Sequence, residues 1–257
     1  MPSVLLSACG SIGTDSGAGE YCNGADESAV MGAILTLLQD YLQVSGLRAP
    51  IRPIKLPSAM AATYANRQRV NLLFTMRSYS APAKQGIEIC FFPASEKSRR
   101  AAQLLLEHLA PVAPDAKRVI LLPSPQLPEF RMARCPAVQL RLGCRADQED
   151  AQWMLQRTGV IAHALAGAIT EWFGIPCKSP FSEFQSRVRA PGGALALRSG
   201  PRGNAEILRP LVNGTRLTLL HREGDWQYVE VDGKCGYVQR RFLRREIVRE
   251  VKAANKS

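Results

Sequence analysis

Two arginines stand where apolar strands end, and their chemistry is the first thing to account for. In LLFTMRSYS, Arg77 closes a buried-looking run, and in AVQLRLGC, Arg141 does the same. A guanidinium stays protonated in proteins and offers only hydrogen-bond donors, so it suits carboxylates and other anions. Cys9 also follows an apolar strand, VLLSA, and Glu27 opens a long amphipathic stretch. In an open α/β sheet the carboxyl ends of the strands line one crevice where ligands bind. Cys9, Arg77 and Arg141 are therefore expected to share a pocket. The histidines offer little beside them: His108 and His163 fall within helical stretches, His163 on an apolar one, and His221 lies in the strand-rich C-terminal part. Seven cysteines with no C-x-x-C pair exclude a zinc knuckle, and no spacing gathers Cys90 and Cys144 with Cys9 as a thiol site.

The elements that must position these residues alternate between two periods. Apolar residues recur at Val30, Met31, Ile34, Leu35, Leu37, Leu38, Tyr41 and Leu42, which predicts a helix with one broad buried face, closed by Gly46. Strands are expected at residues 4–8, weakly at 51–54, then at 71–76, 87–92, 119–122 and 137–142. Helices are expected at 59–69, at 95–109 with Ser95 as N-cap, and over 149–173 with a break at Gly159. This order predicts an α/β fold, a mostly parallel sheet with helices on both faces. Residues 177–193 read as a linker. Short alternating strands with Gly turns follow at 194–244, including Asp232-Gly233 at a tight turn, which predicts a small all-β barrel. Residues 245–257 read as a basic tail.

Composition narrows the function classes. A chain of 257 residues with 46% hydrophobic content can bury a full core. It contains no run near the roughly 18 apolar residues of a membrane helix, so no transmembrane segment is expected. The formal charge of +11 is concentrated from Lys178 onward, with 16 basic and 8 acidic residues against 17 and 14 before it. Such a surface favours polyanions such as anionic wall polymers, although no nucleic-acid motif accompanies the charge. The odd, scattered cysteines suit a reducing compartment. LSAC at residues 6–9 has the outline of a lipoprotein cleavage site, but no basic residue precedes Cys9 and the segment is shorter than the roughly 15 to 30 residues of a secretory signal. The expectation is cytoplasmic synthesis without a signal peptide, with signal-independent release as a route to the cell wall.

Two resemblances add to this reading. Leu197, Arg198, Ser199, Gly200 and Pro201, then Gly214, Gly224, Trp226, Gly233, Gly236, Tyr237 and Val238, resemble the landmarks of bacterial Src-homology-3-like domains. That implies wall-peptide binding or an adaptor role, with Trp226 and Tyr237 as either ligand surface or barrel core. Residues 1–176 are similar to the zinc-dependent N-acetylmuramoyl-L-alanine amidases. The similarity rests on VLLSACGSIGTDSGAG, on Glu27, on YANRQRVN before LLFTMRS, on GIEI, and on PAVQLRLGCRADQEDAQWM, in that order.

The amidase resemblance implies zinc ligands at Cys9, Glu27 and Arg77, with Glu20 a poorer substitute for Glu27, and a general acid/base at Arg141. A hydrolytic zinc needs about three lone-pair donors and an open position for water. Arg77 cannot donate, and Arg141, with a pKa above about 12, cannot shuttle a proton. No zinc or other cofactor is therefore expected. The pocket of Glu27, Arg77 and Arg141 reads as a degenerate one, with an arginine expected to compensate the Glu27 carboxylate. The implied function is that of a catalytically inactive amidase-like protein that binds peptidoglycan, a stem peptide or another wall partner. The competing expectation is an active zinc-dependent amidase, like a prophage lysin, with a divergent metal shell.

Overall fold

The computed structural model describes residues 1–8, 27–52, 60–79, 86–144, 146–180, 184–232 and 234–247. The chain forms two units that meet in sequence between Lys178 and Ser179. Among the described residues no helix is long and apolar enough to cross a membrane.

The first unit runs β1 (Val4–Ala8), α1 (Glu27–Val44), α2 (Met60–Gln68), β2 (Leu72–Tyr79), β3 (Ile87–Phe91), α3 (Glu96–Leu109), β4 (Val119–Pro123), α4 (Pro128–Met132), β5 (Ala137–Cys144), α5 (Gln148–Gln156) and α6 (Thr158–Trp172). Its sheet has the order β1-β2-β5-β3-β4. Three junctions are parallel, and β3 meets β5 antiparallel. The segment between Tyr79 and Ile87 is too short for a crossover helix, so β3 returns in the opposite direction to β2.

Strand alternation sends side chains to two different cores. Val4, Leu6, Phe74, Met76, Ile89, Val138 and Leu140 pack with α1, α3, α5 and α6. Leu5, Leu73, Cys90 and Ala137 point the other way, toward Ala61, Ala62 and Ala65 of α2 and Phe130 of α4. Helices thus cover both faces, as the element order predicts.

Local signals account for most helix ends. The stripe from Val30 to Leu42 is buried, and Gly46, at φ 92°, ends α1 while Leu47 N–H returns to the Leu42 carbonyl. Ser95 caps α3 by accepting from Ser98 N at 3.2 Å. The break expected at Gly159 falls instead at Arg157, where Thr158 Oγ1 donates back to the Met154 and Leu155 carbonyls; Gly159 is buried inside α6. Of the strand expected at 51–54, Ile51 makes a single parallel bridge to Leu6, and the rest lies largely outside the described residues. His163 packs against Tyr41, ring centroids 5.4 Å apart. Burial, then the nearby His108, lowers its pKa to about 4.

The second unit is a seven-stranded antiparallel sheet: β6 (Phe184–Val188), β7 (Ala194–Arg198), β8 (Ile207–Val212), β9 (Arg216–Glu223), β10 (Trp226–Val231), β11 (Lys234–Gln239) and β12 (Leu243–Ile247). The segment expected as a linker, 177–193, contains β6, which pairs with both β9 and β12; β12 in turn reaches into the segment expected as a tail. Asp232, at φ 50°, begins the two-residue turn joining β10 to β11. Leu197, Leu219, Val229 and Val238 fill the core.

Candidate functional site

Glu27 is the first residue of α1, where a carboxylate is favoured by the helix dipole. It is 6% exposed, and its Oε1 accepts hydrogen bonds from Ser78 N, at 2.9 Å, and from Ser78 Oγ. Ser78 therefore faces α1. Its neighbour Arg77, one position earlier on β2, projects from the opposite face of the sheet.

On that opposite face Arg77 is aligned with Arg141 of β5, and Arg141 with Glu88 of β3, so the three form one row across the strands. Arg141 Nη1 lies 2.9 Å from Glu88 Oε2, and the two side chains are only 19% and 13% exposed. Arg141 Nε donates to Gln139 Oε1 at 3.1 Å. Gln139 Nε2 donates in turn to Glu129 Oε1 of α4 at 2.7 Å, and both of these residues are buried. Arg141 is thus held on two sides by acceptors that are themselves fixed. Arg77 is half-buried and makes no hydrogen bond or ion pair with the described residues.

Two further groups complete this face. Cys90 follows Glu88 on β3; burial raises its thiol pKa, against which the Ser124 hydrogen bond and Arg141 act weakly. Arg52 is fully buried, donating to Ser7 Oγ at 2.8 Å and to the Ala8 carbonyl at 3.2 Å. The face is apolar toward the amino ends of β1, β2 and β5 and polar toward their carboxyl ends.

Arg77 and Arg141 are cross-strand neighbours, but the expected compensation of Glu27 by an arginine is not what the structure has. Neither arginine pairs with it: Ser78 donates to Glu27, and Glu88 takes Arg141. The reason is the two-residue period of β2, which sends Arg77 and Ser78 to opposite faces. Cys9 and Glu20 lie outside the described residues.

The described residues do not fit a zinc centre. Arg77 has no lone pair to offer, and one Glu27 oxygen already takes two hydrogen bonds from Ser78. No group of three or more His, Cys, Asp or Glu among the described residues is placed to hold a metal ion. His108 is engaged by Glu171 at 2.8 Å, away from this edge.

Sequence reasoning missed Glu88, Gln139, Glu129 and Arg52. The signal for the first two was present: Glu88 with Cys90, and Gln139 with Arg141, interrupt apolar strands at a spacing of two. In the second unit, of the two readings open for Tyr237 the structure has the core one: it is fully buried, with its ring 4.9 Å from that of Tyr228. Trp226 is half-buried at the start of β10.

Comparison with known proteins agrees with both units. Residues 193–244 match the family model described as "Bacterial SH3 domain". No curated protein matches the chain. Among solved structures, the chain is similar to the N-acetylmuramyl-L-alanine amidase Ami1 from Mycobacterium smegmatis, with a TM-score of 0.57 and 16% identity over 67% of this chain and 97% of that one. It is similar to the catalytic domain of CwlV, an N-acetylmuramoyl-L-alanine amidase from Bacillus (Paenibacillus) polymyxa var. colistinus, with a TM-score of 0.58 and 21% identity over 68% of this chain and 100% of that one. An N-acetylmuramoyl-L-alanine amidase from Clostridium difficile 630 gives a TM-score of 0.59 and 14% identity over 67% and 97%. The first unit therefore has the fold of N-acetylmuramoyl-L-alanine amidases, and a bacterial SH3 domain follows it at residues 193–244.

Proposed function

We propose that this chain is a catalytically inactive amidase-like protein that binds peptidoglycan or a cell-wall partner. The observation that carries the proposal is the fixing of Arg141, at the acid/base position implied by the amidase resemblance, between Glu88 and Gln139. A guanidinium held by a carboxylate cannot take up or release a proton near neutral pH. Arg77 at a ligand position removes a second requirement, since it cannot bind a metal. Arg77 and Arg141 then act as a degenerate pair at the carboxyl edge of the sheet, on the face away from Glu27. The SH3 domain and the net positive charge of the second part supply additional affinity for wall peptides or anionic wall polymers.

The competing reading, an active zinc-dependent amidase with a divergent shell, draws on the retained, buried Glu27 carboxylate. One experiment separates the two. The full chain is mixed with insoluble peptidoglycan and micromolar zinc, and both pelleting and newly freed amino groups are measured. The expected result is pelleting with no amine release above buffer. Amine release that disappears in Glu27→Ala overturns the proposal.

A further inference from the structure

We infer that the second unit carries a receptor for a free α-amino-acid end group, one that bears an ammonium and a carboxylate on the same carbon. The inference stands on the second unit alone and holds whether or not the first unit hydrolyses anything.

A cavity of about 470 Å³ opens where β10 begins and β11 ends, and among the described residues it is lined by Asp225, Gln239, Arg240 and Arg241. That volume lies within the range of small-molecule sites. The backbone fixes where these side chains start. Glu223 and Trp226 face each other at the end of the β9–β10 hairpin, so Gly224 and Asp225 form its two-residue turn, with Gly224 at φ 57°. Arg240 N–H donates to the Asp225 carbonyl at 2.9 Å, which carries the β10–β11 ladder one bond beyond the Trp226–Gln239 pair. Asp225 and Arg240 are thereby neighbours across that junction.

Opposite charges in such positions ordinarily pair. Here they do not: among the described residues, Asp225, Arg240 and Arg241 form no ion pair. Arg241 is held in another way, its Nε donating to Gln239 Oε1 at 3.2 Å and its guanidinium carbon lying 4.8 Å from the centre of the Phe242 ring. Both contacts leave its Nη groups available, and the Gln239 amide nitrogen remains a donor. Arg240 also borders a smaller cavity of about 160 Å³, beside Leu219, Gln227 and Leu243, so its half-buried side chain lies between two open spaces.

The ligand's identity follows from these charges. An oxyanion alone would be drawn to the arginines and repelled by Asp225, and an amine alone would meet Asp225 and be repelled by two cations. A group carrying both charges satisfies both sides. Its carboxylate takes paired N–H bonds from a guanidinium fork, and its ammonium donates to Asp225. The two charges must also be close together, because neighbouring cross-strand positions have Cα atoms only about 5 Å apart. An α-amino acid meets that condition, whereas the ends of an extended dipeptide stand about 7 Å apart. Acylating the amine or amidating the acid removes one charge, so the site distinguishes a free end from a blocked one.

The test is a chemical-shift titration of the isotope-labelled full chain, following the Asp225, Trp226 and Arg240 amides. The probes are racemic alanine, N-acetylalanine, alaninamide, alanylalanine and inorganic phosphate. For a ligand as small as alanine a Kd on the order of 1 mM is expected. Alanine is expected to bind about tenfold tighter than each of the other probes, since every blocked or missing charge removes a charge-assisted bond. Arg240→Gln is expected to bring alanine down to the level of alaninamide, and Asp225→Asn to the level of N-acetylalanine. Both variants should unfold thermally with the parent protein, because neither side chain has an ion-pair partner among the described residues. Should a variant melt early, the ranking of the five probes on the parent chain still decides. Equal binding of alanine and N-acetylalanine, or tighter binding of phosphate, overturns the inference in favour of a plain anion site. Tighter binding of alanylalanine overturns the single-carbon spacing, and no shift with any probe overturns the site itself. None of these outcomes bears on amine release from the wall, which decides the proposed function separately.

Discussion

Replacing Arg141 with leucine lowers the stability of the first unit by about 3 kcal/mol, measured by denaturant unfolding. The mutation removes the 2.9 Å partner of Glu88, whose side chain is only 13% exposed, and leaves that carboxylate in a poorly solvated site. It also frees Gln139 Oε1 from the 3.1 Å bond that completes the chain to Glu129. The loss reflects an uncompensated charge more than a missing attraction, and a second change can repair it. The double variant Glu88→Leu/Arg141→Leu is expected to recover most of the lost stability, because buried ion pairs often exchange for apolar pairs near neutrality. A double variant as unstable as the single one would show that Arg141 acts by some route other than Glu88.

Asp150→Ala carries the larger cost, about 4 kcal/mol, because one carboxylate oxygen serves two strands. Asp150 is 3% exposed, and its Oδ2 accepts from Gly86 N at 3.0 Å and from Cys144 N at 2.8 Å. These amides lie just before β3 and at the end of β5, where the antiparallel junction begins. Gly143 N also donates to the Gly86 carbonyl at 2.9 Å. Removing the carboxylate leaves two buried N–H groups without an acceptor at the point that sets the β3–β5 register. Asp150→Asn retains one oxygen for that position and is expected to cost about 1.5 kcal/mol. Hydrogen exchange at Gly86 and Cys144 should accelerate in Asp150→Ala beyond the global change; protection equal to that of the parent would contradict this role.

What the sequence revealed and what it hid divide along range in the chain. The helix from Val30 to Leu42, the Gly46 stop, the Ser95 cap and the Asp232 turn depend on neighbours within a few residues, and all were legible. The direction of β3 was not, since strand periodicity is the same read either way. β6 escaped because buried Ser186 conceals the apolar alternation that marks a strand. At the site, the two arginines were visible as breaks at strand ends. Their partners were not: Arg141 meets Glu88 across the sheet register, and Gln139 meets Glu129 through the packing of α4. The separation of Arg77 from Glu27 followed from the period of β2 alone, because adjacent Ser78 and Arg77 cannot face the same helix.

The proposed inactivity rests on arginines at strand ends that offer only donors, so that no catalytic zinc is held. Metal analysis of the full chain, dialysed against about 10 µM free zinc, tests it most directly; functional zinc sites, with their three or four protein ligands, fill well below that concentration. Far less than one zinc per chain, unchanged in Glu27→Ala, is the expected result. One zinc per chain that disappears in Glu27→Ala would contradict it.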